Sequence, residues 1–62
     1  MRDPDRIPLL MLLITRYWKE KCPDWRFTQL MANFQRWYGS DAFYVEDDEF
    51  ATKFAEFMEG IK

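Results

Sequence analysis

The densest group of chemistry-bearing side chains is the run Glu46-Asp47-Asp48-Glu49. Neighbouring carboxylates can hold a divalent cation or form the pair that a general acid–base reaction needs. This spacing suits neither use. A calcium loop alternates its ligands around a central glycine, whereas consecutive acids at a helix start are ordinarily solvated groups that satisfy the helix dipole. Capping is therefore the expected role. The chain contains no histidine, so the commonest general base and metal ligand is missing. Its single cysteine, Cys22, has no second thiol to pair with and no base to activate it, and is expected to be a small buried hydrophobe. No catalytic residue, metal site or cofactor is expected, and 62 residues leave little wall for a small-molecule substrate cavity. An enzyme is not the expectation.

Binding is the remaining chemistry. Arg16, Lys19, Lys21, Arg26 and Arg36, with Trp25 and Trp37 among them, could meet phosphates and stack on bases. Charge is divided along the chain: residues 1–38 hold seven Lys or Arg against four acids, and residues 39–62 hold two against seven. The simpler account is that the two halves attract each other. With a net charge of −2 and an acidic third helix, nucleic-acid binding is the alternative rather than the leading reading.

Arg26, Gln29, Asn33 and Arg36 recur at helical spacing and make one polar stripe. As structural residues, Gln29 and Asn33 would bond to loop carbonyls and fix the 23–27 and 40–46 connections. As a functional set, the stripe would be a recognition surface flanked by Tyr44. The structural role is favoured.

Leu9, Leu12 and Leu13, with Arg16 beyond them, form a second stripe on a helix that is apolar all round from Leu9 to Ile14. A helix packed on one side needs only one apolar face. Ile7, Leu10, Ile14, Tyr17 and Trp18 are expected to face the core, which leaves Leu9, Leu12 and Leu13 for a second copy or another protein. The competing account has Phe43 or Ile61 covering them. A protein partner or a weak homodimer is the favoured outcome.

These residues need elements to place them, and three amphipathic segments can be read. The expected architecture is all-α, a compact three-helix bundle of about 4–21, 28–38 and 47–59 in a single domain, with a short extended segment near 43–45. Asp3 can cap the first helix with Pro4 at its first position. Pro8, four residues on, would cost the bond to the Pro4 carbonyl, so 4–7 could instead be a separate turn with the regular helix starting near Ile7. Cys22-Pro23 ends it. Thr28 is a plausible cap for the second helix and Gly39 its stop; Asp47 caps the third and Gly60 ends it. Trp18, Phe34 and Phe54 are the expected centre of the core. The apolar run Leu9–Ile14 is only six residues long, too short to cross a bilayer and unlike a signal peptide, so a cytoplasmic protein with no membrane contact is expected.

The blocks RDPDRI at 2–7, PDWRFTQL at 23–30 with Asn33 after it, and FYVEDDEF at 43–50 stand out in this reading. With Trp18 near the end of the first helix, they resemble a family of small uncharacterised bacterial and phage proteins that share RDPxRI, PDxRxxQL and FYxEDxE motifs. The resemblance implies a compact helical fold and a phage or mobile-element setting, and no catalysis. Members it resembles usually carry charged residues at the positions of Leu9 and Leu12.

Overall fold

The computed structural model describes residues 2–61 and shows three helices: α1 (Arg6–Lys21), α2 (Phe27–Tyr38) and α3 (Asp47–Glu59). The all-α three-helix architecture expected from the sequence is present.

The start of α1 follows from its two prolines. Arg6 N–H donates to the Asp3 carbonyl and Ile7 N–H to the Pro4 carbonyl, so residues before Arg6 make a tight turn and the regular helix begins at Arg6 rather than at 4. Asp3 does not cap the helix: Asp5 holds the cap position without a side-chain bond, and the Asp3 carboxylate accepts from Asp5 N–H at 2.9 Å within the preceding turn. The helix ends before Pro23, with Cys22 N–H bonded back to the Trp18 carbonyl. Lys19 and Lys21 lie in the last turn, where a helix favours positive charge.

α2 begins one residue earlier than Thr28, because Gln29 organises its first turn. The Gln29 side-chain oxygen accepts from the Arg26 backbone N–H at 3.3 Å, the glutamine half of a capping box. Gly39 closes the helix at φ 86°, a left-handed conformation that costs glycine nothing. α3 takes Glu46 as its cap residue; Asp47 lies inside the first turn with Asp48 and Glu49, all favoured by the dipole.

The expected extended segment at 43–45 is a turn. Val45 N–H reaches back to the Ala42 carbonyl, Asp41 accepts from Phe43 N–H, and Gln35 bonds both the Ser40 carbonyl and the Ala42 N–H. Aromatic and β-branched side chains favour strands only where a neighbouring strand is present to pair with, and none is present among the described residues.

α3 is the middle element. It packs on both other helices, whereas α1 and α2 meet chiefly through side chains such as Trp18 and Phe27, whose ring centres are 5.8 Å apart. The core consists of Ile14, Cys22, Leu30, Phe34, Phe54 and Met58. Phe34 is its hub: the rings of Trp37, Tyr38, Phe50, Phe54 and Phe57 all lie within 5.9 Å of it, centre to centre. Two expected core positions differ. Trp18 is half-buried at the edge, its indole N–H donating to the Trp25 carbonyl at 2.9 Å. Ile7, in the first turn of α1, is 47% exposed.

Candidate functional site

Along a helix each residue turns ~100°, so Leu12, two positions before Ile14, points away from the buried side of α1. Leu9 and Arg16 fall on the same outward face. Leu9 is 71% exposed and Leu12 is 53% exposed. Neither of the side chains expected to cover them does so: Phe43 is itself 78% exposed and Ile61 packs against the core. Leu13, a quarter turn nearer the core, is half-buried and divides its contacts between core and surface.

Between α1 and the end of α3 this face opens into a groove of about 440 Å³, lined by Leu9, Leu12, Leu13, Arg16, Tyr17, Glu20 and Glu59. The structure thus brings together all four of the leucine-stripe residues named from the sequence. It adds Tyr17, Glu20 and Glu59. Tyr17 could have been found from its place four positions after Leu13, but Glu59 enters only through the way α3 packs. Partial burial, and Glu59 beside it, push the Tyr17 phenol above its ordinary value.

The polar stripe on α2 resolves differently. Gln29 acts at the start of its own helix rather than on a loop carbonyl. Asn33 is half-buried, and Arg36 sits in the last turn where the dipole favours it. The loop at 40–42 is held by Gln35, a residue outside the stripe. Arg26 and Arg36 are exposed, and none of the four lines the groove beside α1.

Each member of the acidic run has a partner within the fold. Glu46 takes a two-pronged contact from the Arg2 guanidinium, with its shorter distance 2.6 Å, and Asp47 accepts from Arg6. Asp48 caps the Glu49 N–H at 2.8 Å, and Glu49 accepts the Tyr38 hydroxyl at 2.9 Å. The contact with Glu46 holds the Arg2 guanidinium even more firmly protonated than usual. The first and last motif blocks therefore clasp one another, joining the basic start of the chain to the acidic start of α3. Trp25, in the middle block, is half-buried and packs against Phe57. Burial pushes the Cys22 thiol up, away from the thiolate that reactivity requires.

No helix among the described residues is long and apolar enough to cross a membrane. Comparison with protein-family models, curated proteins and solved structures finds no match.

Proposed function

We propose that the protein is a small interaction module that binds a protein partner, foreign or a second copy of itself, through the outward face of α1, with Leu9 and Leu12 at the centre and Leu13 and Arg16 at the sides. The observation that carries this reading is the exposure of two adjacent leucines over a groove, in a domain whose core is already complete without them. Contiguous apolar surface of this kind is costly in a monomer and marks contact sites. Several charged residues of the motif blocks, Arg2, Arg6, Glu46 and Asp47, are occupied in holding the fold, whereas Leu9 and Leu12 make no contact that the fold needs. The resemblance of those blocks suggests a phage or mobile-element setting, and the cytoplasmic location read from the short Leu9–Ile14 run belongs to the same proposal.

A photoreactive phenylalanine placed at Leu12, compared with one at exposed Thr28 on α2, tests the reading in cells that make the protein. Cross-linked protein adducts are expected from position 12 and not from 28. Equal yields from both positions would remove the α1 face as the contact.

A further inference from the structure

Positions 5, 9, 12 and 16 advance by four, three and four residues, the step of the seam along which two helices pair. They are Asp5, Leu9, Leu12 and Arg16, and all four are exposed. Asp5 precedes the first helical residue but keeps helical angles (φ −69°, ψ −11°), so it continues the same face. The seam reads acid, leucine, leucine, base.

Turned end over end about a point midway between Leu9 and Leu12, this order is complementary to itself. Leu9 then lies opposite Leu12 of the other copy, and Asp5 opposite Arg16, because each charge stands four positions outside its leucine. A parallel pairing would instead set Asp5 on Asp5 and Arg16 on Arg16. The three salt bridges among the described residues use Arg2, Arg6 and Lys53, and leave Asp5 and Arg16 available for this one. We infer that the occupant of the face is a second copy of this chain, docked antiparallel on a two-fold axis between Leu9 and Leu12, with an Asp5–Arg16 ion pair closing each end. The inference rests on the interaction reading above and specifies its partner.

Self-complementarity is the requirement of any two-fold contact, since each residue must suit its own counterpart. The small size of the contact limits its strength. α1 is ~24 Å long, and one pair of such helices covers less than the ~1,200 Å² typical of stable complexes. The dimer is accordingly a weak one, with a dissociation constant of about 10 µM to 1 mM.

Sedimentation equilibrium up to ~1 mM protein, at low and high salt, tests the register. Wild type should dimerise, Leu9→Glu/Leu12→Glu should not, and Asp5→Arg or Arg16→Asp alone should weaken association at least ~10-fold. The double reversal Asp5→Arg/Arg16→Asp should restore it to within ~3-fold of wild type. Circular dichroism checks each fold; where a reversed chain unfolds, the neutral pair Asp5→Asn and Arg16→Gln takes its place, each expected to weaken association in smaller steps. A double reversal no tighter than the singles, or neutral variants that dimerise like wild type, would overturn the register. A wild type that stays monomeric at ~1 mM would overturn the second copy as occupant, while cross-links from position 12 would still stand for a foreign partner.

Discussion

The Tyr38 hydroxyl, at the end of α2, donates to the Glu49 carboxylate, in the first turn of α3, at 2.9 Å. The bond closes one end of the aromatic stack in which Tyr38 lies against Phe34. A phenol that donates to a carboxylate cannot ionise without setting two negative charges side by side. The bond to Glu49 first, then burial and the Glu49 charge, raise the Tyr38 pKa above its ordinary value.

The consequence for stability has a definite sign. A group whose folded pKa is raised contributes its stability in full below the unfolded pKa, here ~10, and loses it as pH rises through the folded value. Thermal midpoints of wild type should therefore fall above pH ~10 more steeply than those of Tyr38→Phe. Tyr17 and Cys22, raised in the same direction, supply the slope that remains in the variant. Identical alkaline profiles for the two proteins would show that the bond to Glu49 contributes nothing.

The hub position of Phe34 predicts where the fold is most fragile. Phe34→Ala and Phe54→Ala each remove a buried ring and should cost ~3–5 kcal/mol, as much as a domain of this size possesses. Both chains should lack a cooperative urea transition. Trp18→Ala should be milder, ~1–3 kcal/mol, because it empties a half-buried site and frees one carbonyl. A Trp18→Ala chain as unfolded as Phe34→Ala would mean that the edge of the bundle is as critical as its centre.

Arg6 and Asp47 are each about two-fifths exposed, at 40% and 39%, so water screens most of their attraction. A double-mutant cycle with Arg6→Gln and Asp47→Asn should return a coupling below ~1 kcal/mol that shrinks with added salt. A larger, salt-independent value would indicate a clasp shielded from solvent.

Much of this arrangement is legible in the residues themselves. Phe34 and Phe54 announce their burial by lying on helical apolar faces, Gly39 announces a left-handed stop, and the Pro4–Pro8 spacing sets out the choice between a turn and a helix start. The misread elements share a cause. Thr28 and Asp47 are good capping residues in isolation, but Gln29 reaching back to Arg26 moves the start of α2, and in α3 Glu46 takes the cap position while Asp47 answers Arg6 from the far end of the chain. The Phe43-Tyr44-Val45 stretch has strand composition without a strand to join, and Gln35, eight residues earlier, holds its loop in a turn. In the α1 site, Leu9 and Leu12 could be named from the surplus of apolar residues on one helix. That nothing covers them depends on where Phe43 and Ile61 come to rest, which spacing along α1 does not encode.

Burial of Cys22 predicts a quiet thiol. Modification by a disulfide reagent at neutral pH should run ~10²–10³-fold slower than in the urea-unfolded chain, because the thiol must wait for an opening of the fold. Its rate should rise sharply in Phe34→Ala. A rate in the native protein equal to that of free cysteine would place the thiol at the surface.

Nucleic acid should bind poorly. With a net charge of −2, and with Arg2 and Arg6 already paired to carboxylates, the counterion-release contribution is small. Fluorescence anisotropy with duplex and single-stranded oligonucleotides should give no affinity tighter than ~10 µM at physiological salt. Submicromolar binding with a steep salt dependence would favour a nucleic-acid role over the protein-contact reading.

The central place of α3 carries a consequence for biosynthesis. A ribosome delivers α1 and α2 first, and these two helices have little to pack on but each other's edges until Asp47–Glu59 has emerged. Helices this short are marginal alone in water, so the nascent chain holds Leu30, Phe34 and Ile14 bare during that interval. At ~5–20 residues per second the exposure lasts about a second or more, after which the final helix collapses the whole domain in one step. Proteolytic nicks or premature stops before Asp47 should leave no folded remnant, and such fragments would be natural clients for chaperones and proteases.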